Sequence, residues 1–174
     1  MTLMNASQNA LEPDDDLFDD EDTQKDKYLT FRIASEDYGI AIANVTEIIG
    51  IQSITEIPEM PDYIKGVINL RGKVIPVMDV RSRFKLPPRE YDERTCIIVV
   101  EIDETSVGLV VDTVNEVADI PEEQVEPPPK SKRKGGSYIQ GIGKMDKEVK
   151  ILLDINKILY EEELETLSGA AQSA

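Results

Sequence analysis

The side chains available for chemistry are almost all carboxylates, lysines and arginines: 35 Asp and Glu and 19 Lys and Arg in 174 residues, with one cysteine and no histidine. Without histidine there is no imidazole base, no Ser/His or Cys/His nucleophile pair, no histidine phosphoacceptor and no mixed His/Cys zinc site. Carboxylate or lysine catalysis survives that cut, but it needs a second acid or base held beside the first. Asp79 and Asp154 each close an apolar run, yet no acid or lysine recurs beside either one, so a turn or helix cap is their expected role. Asp14-Asp15-Asp16 lacks the alternating acids, the turn glycine and the closing Glu of a calcium loop. Cys96 has no partner for an internal disulfide and lies in the apolar run Cys96-Ile97-Ile98-Val99-Val100, where a buried thiol in a reducing compartment is expected. No catalytic residue, metal site or cofactor is expected.

The net charge of −16 is unevenly spread. Residues 1–27 hold nine acids against Lys25 and Lys27, too polar a segment to offset its ordering entropy, and they are expected to form a disordered acidic tail. Residues 161–174 begin with Glu161, Glu162, Glu163 and Glu165 and are read as a second short acidic tail, partly helical. The opposite sign gathers in Lys130-Ser131-Lys132-Arg133-Lys134 after three prolines. That tract has no interleaved aromatics, and the chain as a whole repels polyanions, so a mobile loop is expected rather than a nucleic-acid face. No signal pattern opens the chain and no apolar run nears the ~20 residues that cross a bilayer. A cytoplasmic protein beginning at its own Met1 is the expectation.

Strands must do the positioning, because the dominant hydrophobic period is two. Leu29, Phe31 and Ile33 alternate with Thr30 and Arg32, and Ile40 and Ile42 with Ala41 and Ala43. Further strands are expected at 47–57, 66–69, 73–79, 95–102, 106–112, 116–119, 140–144 and 148–154, with helix limited to short pieces near 43–46, 61–64, after Asp79, near 121–124, and over 155–167. The chain also repeats itself. Tyr38-Gly39-Ile40 through Glu47-Ile48 aligns with Val107-Gly108-Leu109 through Glu116-Val117 at a constant offset of 69 residues, as from Gly39 to Gly108. Tyr63-Ile64-Lys65-Gly66-Val67 aligns with Tyr138-Ile139-Gln140-Gly141-Ile142, on to Asp79 and Asp154, at an offset of 75. Two copies are too few for a solenoid, so two similar β-barrels of about 60 residues sharing a packed interface are expected. Gly39 and Gly108 fall at strand mouths in this reading, and Gly66 and Gly141 at bulges or close backbone approaches.

The copies differ in Gly66-Val67-Ile68-Asn69-Leu70-Arg71-Gly72-Lys73-Val74-Ile75-Pro76-Val77-Met78-Asp79, where Arg71 interrupts an apolar strand-turn-strand and is read as partly buried and in need of a carboxylate or carbonyls. With Val45-Thr46-Glu47-Ile48, Val107 to Asp112, Tyr138 to Gly143 and Ile151 to Asp154 in order, residues 28–160 resemble the CheW coupling proteins of bacterial chemotaxis. The resemblance implies an all-β fold of two five-stranded SH3-like barrels on a shared core. It also implies a non-enzymatic adaptor joining the cytoplasmic tips of methyl-accepting chemotaxis receptors to the regulatory domain of the CheA histidine kinase. By position, Val45, Gly66 and Val117 match receptor contacts in a groove between the barrels, and Glu47 and Arg71 match a charged pair joined across it. The resemblance also implies kinase contacts at the exposed end of one barrel. A groove lined by Val45, Ile48 and Val117 suits the i, i+3, i+4 apolar positions of a receptor helix. A coupling module of a non-chemotaxis kinase pathway and a nucleic-acid-binding barrel are the competing readings.

Overall fold

The computed structural model describes residues 24–129 and 138–159. The alternating pattern becomes eleven strands among the described residues: β1 (Lys27–Ile33), β2 (Glu36–Ala41), β3 (Val45–Gly50), β4 (Ile64–Leu70), β5 (Lys73–Asp79), β6 (Cys96–Ile102), β7 (Thr105–Val111), β8 (Thr113–Asp119), β9 (Val125–Glu126), β10 (Ile139–Met145) and β11 (Glu148–Leu153). Helices α1 (Val80–Arg83) and α2 (Ile155–Leu159) follow β5 and β11, and Asp79 and Asp154 cap them by accepting from the Ser82 and Lys157 amides. Each of these aspartates closes its repeat in a second way, donating its own amide to the carbonyl of Tyr63 or Tyr138.

The strands form two sheets, in the orders β3-β6-β7-β5-β4 and β8-β1-β2-β11-β10-β9. Under the sequence offsets the first order maps strand for strand onto the second, and the bridge Thr55 makes to Val67 stands where β9 pairs β10. The fold is the expected pair of small SH3-like barrels, one carrying β9 as a sixth strand. What differs is their make-up, for the barrels are not consecutive halves of the chain. The β2–β3 and β7–β8 connections each pass from one sheet to the other, so β1 and β2 pair with β8 and β11 while β6 and β7 pair with β3 and β5. A repeat reports which strands are alike; it carries no information on which ones pair.

The packing of one barrel on the other is why β6 is apolar at nearly every position. Ile98, Val100 and Ile102 face a core shared by both barrels, with Leu29, Phe31, Ile33, Ile40, Leu109 and Leu153, whereas Ile97 and Val99 fill the inside of the five-stranded barrel with Ile68, Ile75 and Val77. A strand buried on both faces reads as a continuous hydrophobic run. Gly39 and Gly108 lie within β2 and β7 rather than at strand mouths, and a Cβ on Gly108 would come within 2.7 Å of Ile97 Cγ2. The strand expected over 47–57 ends at Gly50, and in place of a helical piece near 61–64 the chain turns at Asp62 and Tyr63 and enters β4 at Ile64. Lys27, assigned to the tail, is already in β1 and pairs with Asp119, while the Asp26 carbonyl accepts from Ile120. Residues 1–23 of the acidic tail, the basic tract, the 161–174 tail and the helix beyond Leu159 lie outside the described residues.

Candidate functional site

β3 and β8 are edge strands at matching places in the two sheets, and both are bulged. In β3 the register slips between Val45 and Glu47, leaving Thr46 as the extra residue, whose hydroxyl donates to the Val99 carbonyl at 3.0 Å. The bulge changes the strand's facing: Val45 packs half-buried against the shared core, Ile49 packs inside the barrel, and Ile48 is left 43% exposed. β8 does the same at the offset of 69, with Val114 on the shared core and Val117 51% exposed. Each barrel thus presents one bare aliphatic side chain at the same point of its edge strand.

Arg71 occupies the tip of the β4–β5 hairpin with φ 53°, followed by Gly72 at φ 87°, the two positive values of a tight two-residue hairpin turn. The Asn69 side chain accepts from the Gly72 amide at 2.8 Å and holds that turn. Turn geometry throws the Arg71 side chain outward, so it is 69% exposed rather than partly buried, and its Nη2 donates to Glu47 Oε2. Glu47 and Arg71 belong to the same five-stranded barrel, and their ion pair joins its two edge strands rather than spanning a cleft between barrels. Gly66 is buried in β4 at φ 146° beneath the backbone of Thr55 and Glu56.

Three polar arrangements had no place in the sequence reading. Asp112, just after β7, accepts from the Ala34 amide at 2.8 Å and from Arg81 Nε and Nη2 at 3.0 and 2.9 Å, with Arg89 Nη1 3.2 Å away. Burial pushes the Asp112 carboxyl up, but Arg81, the Ala34 amide and Arg89 outweigh it and hold the group below the usual carboxylate range. Tyr91 donates its hydroxyl to Asp79 Oδ2 at 2.6 Å, and burial together with that carboxylate pushes the phenol well up. Lys150 is buried inside the six-stranded barrel against Asp37 and Glu148, at 2.8 and 3.0 Å. Among the described residues, no group of three or more His, Cys, Asp or Glu is placed to hold a metal ion, and no helix is long and apolar enough to cross a membrane.

Comparison with known proteins agrees with this architecture. The chain is 38% identical over 153 residues to the chemotaxis protein CheW of Klebsiella aerogenes, covering 87% of this chain and 92% of that protein. It is 34% identical to the CheW of Bacillus subtilis, with 79% and 88% covered. The crystal structure of the scaffolding protein TtCheW from Thermoanaerobacter tengcongensis superposes with a TM-score of 0.73 at 39% identity, over 79% of this chain and 94% of that one. Residues 27–163 match the CheW-like domain, and the chain belongs to that family.

Proposed function

We propose that this protein is a non-enzymatic adaptor of the chemotaxis system, working on the cytoplasmic side of the membrane and holding receptor tips and the regulatory domain of the CheA kinase at a fixed geometry. The observation that carries the reading is the matched pair of bare aliphatic side chains, Ile48 and Val117, on the edge strands of two barrels built over one core. Exposed apolar groups on an unpaired edge strand invite association with another chain. A helix of a receptor hairpin docking here sets its i, i+3 and i+4 side chains against Val45, Ile48 and Val117, with Glu47 and Arg71 as the polar rim. The kinase takes the exposed end of one barrel, so both partners are held by a single rigid body.

Co-purification of the full chain with a receptor cytoplasmic fragment and with a CheA regulatory domain tests the reading; both are expected to be retained. Arg71→Ala is expected to weaken the receptor interaction by about tenfold, the loss of one well-placed rim contact. The same change removes a solvent-exposed ion pair worth ~0–1 kcal/mol to the fold, so the melting temperature should barely move. A receptor interaction unaffected by Arg71→Ala counts against the assigned rim. Deletion of residues 130–136 should leave kinase binding intact, and its loss would show that the basic tract takes part.

A further inference from the structure

The sheet order leaves β3 and β4 as the two unpaired edges of the five-stranded barrel. The chain running from one to the other, residues 51–63, closes that seam. Ile51 and Ile54 pack against the barrel interior, and Thr55 exchanges two backbone hydrogen bonds with Val67 of β4, each 2.9 Å long. The strap can lie this close because of one residue. A Cβ on Gly66 would stand 2.0 Å from the Thr55 carbonyl oxygen, 2.7 Å from its carbon and 3.0 Å from Glu56 Cα. All three atoms are backbone, so no side chain can swing aside, and the φ of 146° itself excludes other residues without strain. The repeat uses the same device under β9, where a Cβ on Gly141 would meet Val125 Cγ1 at 2.7 Å and the Glu126 carbonyl oxygen at 3.1 Å.

We infer that Gly66 serves receptor docking as a positioning residue and not as a contact: it seats the strap on β4, and the seated strap fixes the course of β3 and hence the placement of Val45, Glu47 and Ile48. This rests on the docking reading above and adds to it a division of labour. Gly66 is buried under the strap, so a partner reaches it only by displacing Thr55 and Glu56. The strap leaves directly from β3, and the Arg71–Glu47 pair fastens the same seam at the hairpin tip. A residue that lifts the strap therefore acts on the strand that carries the docking side chains.

The test combines receptor-fragment affinity, CheA-domain affinity and amide hydrogen exchange on the full chain. Gly66→Ala should lose protection at the Thr55 and Val67 amides and weaken receptor binding by about tenfold or more while kinase-domain binding stays within about twofold. Unfolding of the barrel by Gly66→Ala would give the same loss, so a second pair keeps the proposal open to refutation. Thr55→Pro removes the amide that bonds Val67 and leaves Gly66 in place, and it should reproduce the receptor defect. Thr55→Ala keeps both backbone bonds and should bind as the unaltered chain does. Receptor binding lost in Gly66→Ala with Thr55 and Val67 still protected would make Gly66 a contact and overturn the inference. So would a freed strap with receptor affinity unchanged, or a defect in Thr55→Ala equal to that of Thr55→Pro. Failure of the unaltered chain to bind the receptor fragment would instead overturn the docking reading itself.

Discussion

Lys150 stands where its repeat counterpart, Ile75, fills the five-stranded barrel with hydrocarbon. Burial alone lowers a lysine pKa, but the hydrogen bonds from Lys150 to Asp37 and Glu148 outweigh it and raise this one. Asp37 shows the converse: burial pushes its carboxyl up, while Arg32 and Lys150 bring it below the usual range. Losing Lys150 still leaves Asp37 paired with Arg32 Nε at 3.0 Å, so the cost is that of one charged hydrogen bond, about 1.5–3 kcal/mol, whereas replacing both partners by groups that fit is close to neutral. The repeat supplies the replacements, Ile75 for Lys150 and Ser106 for Asp37. Lys150→Ile should therefore destabilise by about 2 kcal/mol in urea unfolding, and adding Asp37→Ser should restore part of the loss. A stable Lys150→Ile single variant would show that the pair contributes nothing to the barrel. The substitution was visible in the sequence as Val149-Lys150-Ile151 against Val74-Ile75-Pro76, yet only the fold shows that this lysine points inward. Arg71 misled in the opposite direction, because its apolar neighbours suggested burial while the positive φ of a hairpin tip turns the side chain to solvent.

Joints between elements depend on Asp112 more than on any helix. It ties the β1–β2 turn of one barrel, through the Ala34 amide, to α1 of the other, through Arg81, and to the chain between α1 and β6, through Arg89. Its carboxyl is held low in the folded protein, so its stabilisation is complete above the ordinary carboxylate pKa of about 4 and fades as pH falls through the folded value. Asp112→Asn should cost about 3 kcal/mol at pH 7, and the gap in melting temperature between it and the unaltered chain should close as pH falls below the ordinary carboxylate range. A gap independent of pH would mean that shape, not charge, holds the joint. The strands meeting at this joint were legible from period-two alternation, and the two caps from aspartates ending apolar runs. Their partners were not, since pairing is non-local and the bulges at Thr46 and in β8 shift the faces by one residue without any mark in the alternation.

Taken whole, the molecule is two barrels that neither half of the chain can build alone. Arg83 is seated between them, with its guanidinium carbon 5.1 Å from the ring centroids of both Tyr63 and Tyr138, the tyrosines matched by the repeat. A row of rings runs on through Phe31, Tyr38, Phe84 and Tyr138, mixing residues of both halves. Barrels joined in this way present their edge strands at one fixed angle, as a scaffold between two partners requires. The repeat alone suggested a simpler plan, two similar barrels of about 60 residues, one per repeat, sharing a packed interface. Division of the chain between Glu93 and Arg94, both exposed, separates the plans. In residues 1–93, β1 and β2 lack β8 and β11, while β3 and β5 lack β6 and β7; residues 94–174 lack the complement. Neither fragment closes a barrel, and each has too little buried surface to be stable as an open sheet. Each should show an unfolded circular dichroism spectrum alone, and an equimolar mixture should regain β-structure and receptor-fragment binding together. If either fragment folds cooperatively by itself, its barrel closes without strands from the other, and the interleaved pairing is wrong.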